Sequence, residues 1–186
     1  MASIQVYDNQ TQTYYHICGG SIIEKNQVLT AAHCLHNRHS SNLRVVFGCA
    51  NLKNESPYKI IKEVAKLVIH SSYVHGKSYN DVAIIVLESE LDFNDAIGKI
   101  CLPKKSTPDS NHLNDRSATL TGWGSIQEKG PASTTLRQAS LTILSQNFCN
   151  DSRLQTDENG ISSSKSSIVP RLFTSEVMCA GTIHTS

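Results

Sequence analysis

Period-two alternation over short runs is the feature that most limits what this chain can fold into. SIQVY (3–7), YYHI (14–17), SII (21–23), QVLTA (27–31) and LRVVF (43–47) are each a few residues long and β-branched or aromatic. Asn, Gln, Gly and Ser separate them. A run of this kind presents one apolar face that it cannot bury alone, so each predicts a strand that must pair into a sheet. YKIIKEVAKLVIH (58–70) fits either a helix or a long bent strand, and its neighbours favour strand. DVAIIVLE (81–88) is nearly continuous in apolar residues, which predicts a strand covered on both faces. SATLTGWG (117–124), LRQASLTIL (136–144) and EVMCAG (176–181) continue the pattern. KICLPKKSTPDSN (99–111), with Pro103 and Pro108, reads as a crossing linker. The polar, Ser-rich stretch 151–173 reads as a surface insertion. Many short strands, frequent turns and no internal repeat predict an antiparallel barrel or sandwich.

The 186 residues suffice for one sizeable domain or two small ones. Lys and Arg number 17 against 16 Asp and Glu, so no basic field exists to attract nucleic acid or a membrane surface. The longest apolar runs, such as VAIIVL (82–87), fall far short of a bilayer span. Neither a nucleic-acid partner nor a membrane partner is expected. Cys18, Cys34, Cys49, Cys101, Cys149 and Cys179 are scattered, with no CxxC pair. That spacing disfavours a zinc site and thioredoxin-like redox chemistry, and it fits disulfides formed in an oxidising compartment. Two sequons, Asn54-Glu55-Ser56 and Asn150-Asp151-Ser152, are compatible with secretion. The ASIQV that follows Met1 reads as a strand and not as a leader, so no signal peptide is expected in the chain as written. The closing MCAGTIHTS has no terminating element. Both ends give the expectation of a piece of something longer.

LTAAHCL (29–35) sets His33 between two alanines and a cysteine, just after an apolar run. On its own the heptapeptide leaves three readings open: a catalytic base, a metal ligand, or a ring packed at a strand end. Asp81 opens the most apolar strand, where a turn aspartate bonding local backbone is the plainer reading. The remaining seven histidines, among them His36, His39, His70 and His75, read as surface or structural groups.

CGGSII (18–23), LTAAHC (29–34), NDVAIIVL (80–87), ICLP (100–103), TGWG (121–124) and MCAG (178–181) follow one another in order. With these six stretches the chain, from residue 3 to about 181, resembles the chymotrypsin/trypsin family of serine endopeptidases. The resemblance implies an all-β fold of two antiparallel Greek-key β-barrels. The first barrel would occupy 1–100 and carry the catalytic pair, and the second, over 101–186 with the linker, would be truncated. His33 matches the family's general base, and Asp81 matches the carboxylate that orients it and stabilises its imidazolium form. Cys18 and Cys34 match the family's disulfide beside the histidine. Cys149 and Cys179 match a second bridge, more widely spaced than usual because of the Ser-rich insertion. Cys101 matches a position that tethers an upstream pro-segment or regulatory domain in many members. Cys49 stands where calcium-binding members carry a carboxylate, so a calcium loop is not implied. The family needs no cofactor or metal for its chemistry.

The family's nucleophile sits in GDSGGP, and no such stretch occurs in the 186 residues, nor does an IVGG-like activation terminus. The expectation is a secreted, extracellular serine endopeptidase acting on proteins or peptides, of which this chain is an incomplete record, inert by itself. The alternative is a non-catalytic homologue acting as a regulatory or binding protein. A generic extracellular β-domain is the third reading, disfavoured by the order of the motifs.

Overall fold

The computed structural model describes residues 1–103, 113–127, 129–145, 147 and 179–181. Six strands close into an antiparallel barrel: β1 Ala2–Asp8, β2 Thr13–Glu24, β3 Gln27–Thr30, β4 Leu43–Phe47, β5 Ile60–Ile69 and β6 Ala83–Leu87. Around the barrel they run β1-β2-β3-β6-β5-β4. A single helical turn, α1 (Ala32–Leu35), follows β3. Ile4, Val28, Leu43, Val45, Phe47 and Ile85 are buried in the core. Closure removes the edges, and the alternate inward side chains fill the interior.

Local chemistry explains the strand boundaries. YYHI and SII belong to one strand, because CGG continues β2 without a break. A Cβ at Gly20 would lie 2.6 Å from Val28 Cγ1, so only glycine lets β2 and β3 approach this closely. The ambiguous stretch 58–70 is strand, and the register of β5 on β6 shifts between Val64 and Lys66. That irregularity changes which side chains face inward, from Ile60 and Val64 before it to Leu67 and Ile69 after it. Positions 60, 64 and 67 have helical spacing, which is why the sequence reads both ways. In β6, Ala83, Ile85 and Leu87 are buried whereas Ile84 and Val86 are only half-buried. The expectation of cover on both faces is therefore corrected: a closed barrel has one interior, and the outer face of β6 is partly open.

The chain divides into two compact units, one formed by Met1–Pro103 with Thr121–Gln138 and the other by the described parts of 104–120 and 139–186. In the first, Trp123 is buried and its Nε1–H donates to the Ala50 carbonyl at 3.4 Å. Beyond the barrel, β7 (Ser117–Gly122), β8 (Arg137–Leu144) and β9 (Cys179–Gly181) form a three-stranded sheet in the order β7-β8-β9. Ile143 on β8 pairs with Ala180 on β9. The described chain is thus all-β apart from short helical turns, as expected.

One wall of the barrel carries a hydrogen-bond chain. Arg44 Nε can only donate, and it does so to Gln5 Oε1 at 2.9 Å. Gln5 Nε2 then faces the hydroxyl of fully buried Ser3 at 3.5 Å. The Ser3 hydroxyl lies 2.8 Å from His16 Nδ1. Burial lowers the pKa of His16 from the ordinary 6.5. The unfolded chain therefore takes up this proton first as pH falls. The stabilisation from a neutral His16 is complete above 6.5 and is lost progressively as pH falls toward the lowered folded value. We expect denaturation midpoints to drop between about pH 7 and about pH 5, and His16→Gln to remove that part of the slope. An unchanged slope in the variant would show that His16 is not the group responsible.

Candidate active site

Strand pairing brings together two residues far apart in sequence. Thr30, at the end of β3, pairs with Ala83, at the start of β6, so the segments just outside both strands meet at one rim of the barrel. From the β3 side the chain turns into α1, with Ala32 fully buried and His33 exposed on the same turn. From the β6 side Asp81 is set by a tight local turn. Asn80 adopts the left-handed region (φ 55), and its side-chain amide donates to the Ser72 carbonyl at 3.2 Å. The Val82 N–H donates back to the Asn80 carbonyl at 2.9 Å, and the His70 N–H donates to the Val82 carbonyl at 3.1 Å. Asparagine is among the few residues that tolerate this backbone region. That fitness is the one sequence signal for Asn80 as a positioning residue, and reading the motif for its aspartate overlooked it.

Asp81 holds His33 at two points. Its Oδ1 accepts the His33 backbone N–H at 2.8 Å, and its Oδ2 lies 2.7 Å from the ring Nδ1. Burial alone pushes the Asp81 pKa up. Hydrogen bonds from the His33 ring and backbone, the charge on that ring and a bond from the Ala32 backbone outweigh it, so Asp81 titrates below the ordinary 3.8. Asp81 is thus ionised at neutral pH and can only accept, which places the proton of neutral His33 on Nδ1. Nε2 then carries the lone pair. The His33 side chain is 58% exposed and that of Asp81 24%, so the carboxylate is the shielded member and the ring can meet a reactant. Chemically, the pair can take a proton at Nε2 while Asp81 stabilises the cation that forms.

Cys18 and Cys34 form a disulfide beside this pair, with Cα atoms 6.1 Å apart and a sequence separation of 16. Cys34 Sγ is 3.4 Å from His33 Nε2. Loop closure of this length contributes about 3 kcal/mol. Replacing both cysteines by alanine is expected to cost about 2–5 kcal/mol, seen as a lower denaturant midpoint; a change within about 0.5 kcal/mol would mean that the barrel does not depend on the bridge. Ligand atoms of Cys18, His33 and Cys34 lie within 4.8 Å of one another, the one such cluster among the described residues. Its sulfurs are joined in the disulfide and offer no thiolate, so the donors do not suit a metal ion.

Cys49 is a half-buried free thiol whose pKa burial raises, and Cys101 is free and exposed. The expected Cys149–Cys179 bridge lies outside the described residues, apart from the backbone of Cys179 in β9. The other histidines near the site serve local structure. His36 stacks on His75 at 4.5 Å and meets Tyr73 edge-on at 6.0 Å, and His70 Nδ1 accepts the Ser72 N–H at 3.1 Å.

A family model described as Trypsin matches residues 1–185. The chain is 31% identical over 169 residues to the clotting factor G beta subunit of Tachypleus tridentatus, covering 89% of this chain and 51% of that protein. It is 31% identical over 137 residues to the venom serine protease Bi-VSP of Bombus ignitus, covering 73% of this chain and 38% of that one. The chain spans about half the length, or less, of these curated relatives. A solved structure described as "Structure of GrC" superposes with a TM-score of 0.67 at 26% identity, covering 83% of this chain and 63% of the other.

Proposed function

The chain belongs to the trypsin family, and on that premise we propose that it is the part of a secreted serine-type endopeptidase that bears the base and its orienting acid. The observation that carries this reading is the two-point hold of Asp81 on His33, which leaves Nε2 as the basic atom of the ring. In the proposed reaction a serine hydroxyl attacks the carbonyl of a protein or peptide substrate. His33 Nε2 takes the hydroxyl proton, and Asp81 stabilises the imidazolium. As the tetrahedral intermediate collapses, His33 returns the proton to the departing amine and an acyl-enzyme remains. Water then repeats the sequence in reverse order and frees the acid product. The Cys18–Cys34 bridge beside the pair supports export into an oxidising compartment.

The nucleophile distinguishes this reading from a non-catalytic homologue. A decoy has no chemical reason to keep an ionised acid clasping a histidine, but it has no need of a serine either. Residues 1–186 expressed alone should neither cleave peptides nor react with a fluorophosphonate, which requires an activated serine. The reading frame that contains the chain should encode a GDSGGP-like stretch, and its processed product should take up the label. A reading frame with that serine replaced, or a product that stays unlabelled, transfers the case to the binding protein.

A further inference from the structure

The loop that follows β4 presents an unused asparagine within a sequon. It is pinned on both sides of that residue. On one side Asn51 bridges to Thr135, its Nδ2 lies 3.3 Å from Thr135 Oγ1, and its Oδ1 accepts the Lys53 N–H at 2.9 Å. The Leu52 N–H donates to the Thr134 carbonyl at 2.8 Å. On the other side the Ser56 hydroxyl donates to the Gly48 carbonyl at 2.8 Å and accepts the Tyr58 N–H at 3.2 Å. Between these anchors Asn54 is exposed, and its side-chain amide makes no hydrogen bond to the described residues. Asn51, Asn80 and Asn94, by contrast, each spend their side chains on turns or neighbours.

We propose that Asn54 carries an N-linked glycan, a reading that rests on the export proposed above. The co-reactant is a lipid-pyrophosphate-linked oligosaccharide. Asn54 Nδ2 displaces the pyrophosphate from C1 of the first sugar: the Nδ2–C1 bond forms, the C1–O bond breaks, an amide proton leaves and the lipid pyrophosphate departs as the anion. Nothing is oxidised or reduced. Glu55 at the middle position is permissive, since only proline there is excluded. Ser56 has two successive roles. Its hydroxyl marks the acceptor while the chain is still open, and it afterwards closes the loop onto Gly48 and Tyr58. The pinned ends hold the attachment point outward, where a bulky sugar displaces no packed side chain.

The test uses the full protein containing this chain, sent into a eukaryotic secretory pathway by an added signal sequence. Asn150→Gln is built in so that the second sequon does not contribute. Peptide-N-glycosidase should then increase gel mobility and leave a deamidation mark at position 54 in peptide mass spectra. Asn54→Gln should abolish the shift and Ser56→Thr should keep it, because threonine preserves the acceptor signal and the hydroxyl. Ser56→Ala should lose the glycan, and the other two variants carry the test if it fails to fold. An exported protein whose Asn54 peptide is wholly unmodified overturns the proposal. Export itself is read separately, by following the protein behind its own leader. Retention inside the cell there sinks the export reading and leaves the Asn54 result with the added signal to stand by itself.

Discussion

In the proposed endopeptidase, His33→Ala is expected to lower kcat by about a millionfold, the scale on which triad enzymes respond to loss of their histidine. The size follows from what the ring does twice in each half-reaction of the proposed mechanism. It removes a proton from a hydroxyl that is hardly acidic, and it delivers that proton to an amine that is otherwise a very poor leaving group. Among the described residues, the neighbouring histidines are otherwise engaged. His36 is committed to its stack with His75, and His70 Nδ1 to the Ser72 N–H. His33 is exposed and makes its side-chain hydrogen bond to Asp81 alone apart from the sulfur contact, so its removal should leave the barrel folded. KM should change little, because the ring acts in the transition state and not in ground-state binding. Steady-state kinetics on active-site-titrated enzyme check this. A variant that retains more than about a hundredth of kcat would mean that another base serves the reaction.

Asp81→Asn is expected to cost about ten-thousand-fold in kcat, again with KM nearly unchanged. The substitution keeps the shape and one acceptor oxygen, so the backbone bond from His33 can persist. It removes the charge that stabilises the imidazolium, and it places an amide N–H where a second acceptor stood. That N–H donates to Nδ1 and moves the ring proton to Nε2, so the base is presented with its proton already in place. The linked effect on stability has a definite sign. The folded pKa of Asp81 is below the ordinary 3.8, so the pairing stabilises the fold above that value and is lost as pH falls through the folded one. The wild type should therefore lose more stability than Asp81→Asn on acidification below about pH 4. Parallel kinetic and denaturation profiles of the two proteins measure both effects. A loss of less than tenfold in kcat would show that the clasp does not set the tautomer.

Much of the architecture was legible before any coordinates, for a local reason. LRVVF and QVLTA alternate within a few residues, and the period of a strand is expressed inside that window. β4 and β3 lie where those runs predict. Two elements misled for equally local reasons. The register shift in β5 converts strand alternation into helical spacing, and no residue between Ile60 and Ile69 announces it. VAIIVL is apolar at every position, so it could not say that one face of β6 would remain half open. In TAAHC the pattern read as the end of a strand, yet His33 rides on a helical turn that leaves it exposed and tucks Ala32 into the core.

By itself the sequence determined which groups were available: an imidazole in TAAHC, a carboxylate in NDVAIIVL, cysteines at Cys18 and Cys34, and a sequon at Asn54. It also determined that the regular structure would be mainly short strands, because alternation and side-chain type are properties of neighbours along the chain. Only the tertiary structure decided that β3 pairs with β6 and in what register, and hence that groups 48 residues apart come within 2.7 Å. The same is true of Ser3 and His16 across β1 and β2, and of the amide left unpaired at Asn54. The physical reason is that strand partners are chosen by how a whole barrel closes over one core. That choice is a sum over every buried contact and hydrogen bond, and no single stretch of sequence carries it.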